Sequence, residues 1–193
     1  KSKRSIAKAR TEGPAAYVIP LDTKRPLVSA RLVNLLRKNG VEVHAASAEL
    51  TVGKDKFPAG SYIIRMDQPY SRIADTLLDY QYWAPNDPQQ RPYDDTGWTF
   101  PEGFGVQAVR VADTKVLEVP MERVEGQVQA PSGVSGQGTL FAINHSGDNT
   151  LVTLRYRLKG ADIQVAEEPF ETNNVKFNRG SFIDQGVAQP DLD

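Results

Sequence analysis

Cysteine is absent from the 193 residues of this chain. That excludes disulfide bridges, thiolate metal sites and a cysteine nucleophile. Histidine is nearly as scarce, with His44 and His145 the two present. Neither falls in an H-x-x-E or H-E-x-x-H frame, and zinc hydrolysis needs at least three closely placed ligands and an open position. No run approaches the roughly 18 apolar residues of a membrane-spanning helix. A charge of one sign is also missing. The net charge is −1, with acids and bases interspersed, whereas a nucleic-acid surface needs a clustered basic field. The exception is Lys1, Lys3, Arg4, Lys8 and Arg10, read as a basic tail or the end of a preceding element over 1–13. The chain opens on K-S-K-R without methionine or signal peptide, and it reads as a piece of a longer polypeptide.

What is present is a duplication. Residues 37–63 and 157–183 align without a gap at one offset of 120 residues. Identical pairs are Arg37/Arg157, Gly40/Gly160, Ala46/Ala166, Lys56/Lys176, Phe57/Phe177, Gly60/Gly180, Ser61/Ser181 and Ile63/Ile183. A repeat fixes architecture before any motif does. At 39% hydrophobic residues, the chain can bury a core around it.

Each copy reads as strand, helix, strand and turn-bounded strand. Residues 15–19 are an apolar run; 27–38 carry apolar positions at helical spacing, stopped by Asn39-Gly40; Val41 and Val43 begin a second strand. Turn signals at 53–55 and 58–60 precede a strand at 61–66. The second copy places strands at 139–143 and 162–166, a helix at 149–159 stopped by Gly160, and a close at 182–183. Between the copies, Ser71 caps a helix to about Tyr80, residues 81–103 are irregular and aromatic, and 106–111 and 116–119 read as strands. Residues 130–138 form a flexible connector. The expected fold is therefore α/β: a mainly parallel sheet flanked by helices, from β-α-β-hairpin units at about 15–66 and 139–184. One domain spans 14–184, with insertion and linker over 67–138 and an unstructured end at 185–193.

No complete catalytic set is present. Gly133-Val134-Ser135-Gly136-Gln137 lacks the last glycine of a nucleophile elbow and precedes a strand. Gly136-Gln137-Gly138 lacks the third glycine of a dinucleotide fingerprint. Two loops remain as candidate ligand sites. Asn144, His145 and Asp148 lie just beyond the carboxyl end of a strand, where α/β sheets bind ligands, with Asp148 or Asn149 capping the next helix. Tyr93, Asp94 and Trp98 lie in the aromatic insertion and offer apolar area with acceptors. The plain alternatives are a polar turn with a helix cap and a loop packed over the sheet. A third reading is an independent hydrolase using Ser135 or Ser181.

The segments A-Y-V-I-P, L-V-N-L-L-R-K-N-G-V-E-V-H, P-A-G-S-Y-I-I-R-M-D-Q-P-Y and R-P-Y-D-D-T-G-W-T-F-P resemble the region downstream of the catalytic domain in large bacterial zinc carboxypeptidases, of the carboxypeptidase A-like superfamily. The likeness covers about 14–110 and continues through A-E-E-P-F and K-F-N-R-G-S-F-I. That downstream region is similar to a class I glutamine amidotransferase-like α/β domain. The resemblance implies a secreted or periplasmic parent that removes carboxy-terminal residues with zinc held in a preceding catalytic domain. The family's histidine–glutamate metal motif has no counterpart here, and neither has the amidotransferase cysteine. No catalytic or metal residue is carried over, and no cofactor is expected in this segment. The favoured expectation is a noncatalytic accessory domain that supports the catalytic domain or binds peptide or glycan. The alternative is a small-molecule-binding or vestigial amidotransferase-like domain with its site at the His145 loop.

Overall fold

The computed structural model describes residues 2–21, 25–81, 86, 88–89, 97–130, 133–147 and 149–185. In chain order these form α1 (Ser2–Thr11), β1 (Ala16–Ile19), α2 (Pro26–Lys38), β2 (His44–Ala46), β3 (Leu50–Val52), β4 (Asp55–Phe57), β5 (Tyr62–Arg65), α3 (Ser71–Leu78), α4 (Phe100–Phe104), β6 (Val109–Val111), a 3-10 turn (Thr114–Leu117) and β7 (Met121–Arg123). The second copy supplies β8 (Leu140–Ile143), α5 (Thr150–Arg157), β9 (Asp162–Val165), β10 (Phe170–Thr172), β11 (Val175–Phe177) and β12 (Phe182–Gln185). The chain divides into two compact units, Lys1–Asp22 with Ser29–Val128, and Thr23–Val28 with Gln129–Asp193. Among the described residues, no helix is long and apolar enough to cross a membrane.

The expected mainly parallel sheet is not what forms. The first unit holds a five-stranded sheet in the order β6-β1-β5-β2-β7, and every neighbouring pair in it is antiparallel. The crossover through α2 does leave β1 and β2 pointing the same way. However, β5 is wedged between them, antiparallel to both. A β-α-β crossover with one strand between its ends is a split unit, and it replaces the expected mainly parallel sheet with an antiparallel one. The second unit repeats the device. Its sheet runs β8-β12-β9, with β12 antiparallel to both neighbours.

The apolar runs arise because the first sheet is covered on both faces. One face presents Ala16, Val18, Ile63, Val111 and Ala46 to a cluster completed by Leu50, Phe57, Val116 and Leu117. The β3–β4 hairpin thus folds over the sheet, anchored by the cross-strand pair Leu50↔Phe57. Burying two such side chains stabilises the unit by about 1.5–3 kcal/mol each. Alternation turns Tyr17 to the other face, where its hydroxyl donates to Asp75 Oδ1 of α3 at 2.8 Å. The second hairpin keeps the register at Phe170↔Phe177, but those two rings stack on each other at 4.8 Å. Leu140, Val165 and Val175 are exposed.

Helix ends follow local chemistry. Gly40 takes φ +80° after α2; its N–H donates to Arg37 O and the Val41 N–H to Leu36 O, the paired bonds of a Schellman cap. Val41 is thereby spent on the cap, and β2 begins at His44. Gly160, expected to do the same, is not left-handed; α5 ends earlier, with Leu158 as its C-cap. Ser71 is not a cap. It is the first residue of α3, behind Tyr70, and no side chain caps that helix. The aromatic stretch does hold a short helix, α4, because Pro101 sits in its first turn, where a missing N–H costs nothing. Val106 closes that helix by donating to Pro101 O, which shortens β6. The expected strand at 116–119 is a 3-10 turn. Asp113 accepts the Lys115 N–H through its side chain at 2.9 Å, a local bond that competes with extended backbone.

Candidate functional site

The loop after β8 is tied down residue by residue. The Asn144 carboxamide donates to Lys176 O at 3.0 Å. Its oxygen accepts the Asn178 N–H at 3.0 Å and the Ser181 hydroxyl at 3.2 Å. The His145 N–H donates to Ser181 Oγ at 3.1 Å, and the Asn178 carboxamide donates to His145 O at 2.8 Å. The imidazole lies against Gly180, where a Cβ would stand 3.1 Å from Nδ1. Asn144 and His145 are thus brought together, with Asn178, Gly180 and Ser181 as their partners. Asp148 lies outside the described residues. Asn149 stands at the N-cap of α5 but makes no side-chain cap bond.

The first repeat performs the same operation with an apolar residue. The Leu21 N–H donates to Ser61 Oγ at 3.1 Å, and a Cβ on Gly60 would meet Leu21 Cδ2 at 3.6 Å. Gly60 and Gly180 share φ near +84° and +87°, and both donate to the corresponding alanine carbonyls of Ala46 and Ala166. His145 therefore occupies the place of Leu21. The repeated glycine–serine pair is the clamp that holds the strand-end loop in both copies.

Of the insertion residues, Tyr93 and Asp94 lie outside the described residues. Trp98 precedes α4 with 41% of its surface exposed, and its backbone N–H donates to Gln81 Oε1 at 3.2 Å.

A second polar place went unmarked in the sequence. Glu42, His44, Arg65, Asp67 and Gln68 line a cavity of about 130 Å³ in the first unit. Pairing of β2 with β5 sets His44 opposite Ile63, next to Arg65. The Arg65 guanidinium grips Asp67 through two bonds, at 2.9 and 2.7 Å, and donates to Leu117 O. The forked geometry pushes the Arg65 pKa up and holds the Asp67 carboxyl below its ordinary range. The buried Gln68 carboxamide brackets Glu42, accepting from its N–H at 2.7 Å and donating to its carbonyl at 2.9 Å. His44 is half-buried, and its Nδ1 is buried with no hydrogen-bond partner. Loss of hydration lowers its pKa, and nearby Arg65 adds to the effect. A neutral imidazole beside an engaged guanidinium suits a small polar solute or water. Among the described residues, no group of three His, Asp or Glu side chains could hold a metal ion.

Comparison with known proteins gives no match to any family model, to any curated protein or to any solved structure.

Proposed function

We propose that this chain is a noncatalytic accessory module of a zinc carboxypeptidase-like parent, acting outside the cytoplasm to support the catalytic domain or hold its peptide or glycan substrate. The observation that carries the module reading is the repeated clamp. In both copies the strand-end loop, where an α/β ligand site would be sought, is bound to a buried serine that immediately precedes the central strand. The polar side chains of Asn144, Asn178 and Ser181 are spent on one another or on backbone. Such a loop supports a scaffold better than it serves an incoming ligand. The parent and its compartment rest on the resemblance of A-Y-V-I-P, P-A-G-S-Y-I-I-R-M-D-Q-P-Y and R-P-Y-D-D-T-G-W-T-F-P.

The test is an assay of the isolated chain for bound zinc and for release of carboxy-terminal residues from peptides. Neither is expected. Stoichiometric zinc together with turnover overturns the reading.

A further inference from the structure

Strand β12 carries a buried residue that departs from the chemistry of its repeat. Asp184 is fully buried on the central strand, paired with Phe141 of β8 on one side and Ile163 of β9 on the other. Neither carboxylate oxygen has a hydrogen-bond partner. The corresponding residue of the first repeat is Ile64, also fully buried, on β5 opposite Tyr17. One geometry therefore holds an aliphatic side chain in one copy and an unsatisfied carboxyl in the other.

We propose that Asp184 is a proton-operated latch in the second repeat: as a neutral acid it lets β12 sit between β8 and β9, and on ionising it drives the strand from that place. The physical basis is that a buried carboxylate without donors is far less tolerable than a buried neutral acid. The Asp184 side chain has no accessible surface in the folded chain, so its charge cannot meet water while the strand keeps its place. Among the described residues, two charged side chains act on it. Asp162 of β9 opposes ionisation, Arg155 of α5 favours it, and β8 contributes Phe141 and no charge. Arg155 donates to Leu158 O within its own helical end.

Burial raises the Asp184 pKa in the folded chain, with Asp162 adding to the rise. The folded value thus lies above the unfolded one of about 3.9. The sign follows by linkage: the latch contributes fully below about pH 3.9 and is lost as pH rises through the folded value.

The experiment is amide hydrogen exchange on the whole chain across that pH window, with protection corrected for intrinsic rates. Protection of β12 is expected to fall by up to about tenfold per pH unit between the two pKa values, with no such fall in β5. Asp184→Ile, which installs the residue of the first repeat, should flatten the β12 profile, and the neutral Asp184→Asn should flatten it too. A flat profile in the unaltered chain, or an unchanged slope in Asp184→Ile, overturns the proposal. Should both variants fail to fold, carbon-detected titration of Asp184 in the unaltered chain decides. A midpoint above the ordinary aspartate range is expected, and an ordinary or lower one overturns the latch.

Discussion

The hydroxyl of Ser181 accepts the His145 N–H at 3.1 Å, as the hydroxyl of Ser61 accepts that of Leu21 at 3.1 Å. One serine per repeat fastens the loop leaving the first strand to the strand wedged beside it. Each serine is fully buried, so removing its oxygen leaves the loop N–H without its acceptor. Ser61→Ala and Ser181→Ala should each cost about 1–3 kcal/mol. Denaturant unfolding of the two variants measures this, and a change within error for either would remove that serine from the clamp.

The glycine beside each serine is equally constrained. Gly60 and Gly180 are left-handed, which costs other residues about 1–2 kcal/mol. Gly180→Ala also pushes a methyl to 3.1 Å from the His145 ring, whereas Gly60→Ala meets Leu21 at an ordinary 3.6 Å. Gly180→Ala is therefore expected to couple to His145→Ala by about 0.5 kcal/mol or more, the second change relieving the first. The pair Gly60→Ala and Leu21→Ala should show no such relief. A double-mutant cycle on each pair separates the two cases.

The two helix-stop glycines should behave differently. Gly40→Ala breaks a left-handed cap at φ +80° and should cost about 1–2 kcal/mol. Gly160 is not left-handed, and nothing lies within 4 Å of an added Cβ. Gly160→Ala is then expected to be neutral or to stabilise by up to about 1 kcal/mol, through the entropy of the unfolded chain. Midpoints of thermal unfolding for the two variants check the contrast; equal losses would contradict it.

The cavity in the first unit carries the opposite pH dependence to Asp184. Arg65 holds the Asp67 pKa down, so this pair stabilises fully above the ordinary carboxylate value of about 3.9 and is lost as pH falls through the lower folded value. His44 is also lowered, and its contribution is lost in the same direction, beginning below about pH 6.5. Asp67→Asn should weaken the first unit at neutral pH and flatten its acid limb. Unfolding followed by exchange at the β1 and β5 amides reads this unit alone, and an unaltered acid limb would count against the pair.

The repeat was legible because its shared residues do the same structural work in each copy. Phe57 and Phe177 stand at the same hairpin register, and the glycine–serine pairs clamp the same loop. Strand order was not legible. A continuous apolar run such as Ala16–Ile19 records burial on both faces, not the direction of its neighbours. Here the second face is covered by a hairpin and a 3-10 turn, so the inference from apolar runs to a parallel sheet fails. The cavity was hidden for a different reason. Glu42 and Gln68 meet only through the return of β5 beside β2, and no local spacing signals that. Asp184 differs from Ile64 in the sequence, but its burial becomes visible only when β12 is placed at the centre of its sheet.

The central claim is that each repeat wedges its last strand, antiparallel, between the two strands of a crossover. The most direct measurement is the pattern of interstrand nuclear Overhauser contacts in isotope-labelled protein. The expected result is contact of Ile63 with both Val18 and His44, and of Ile183 with both Ala142 and Gln164. Contacts running directly between β1 and β2, or between β8 and β9, in a parallel ladder would contradict the account.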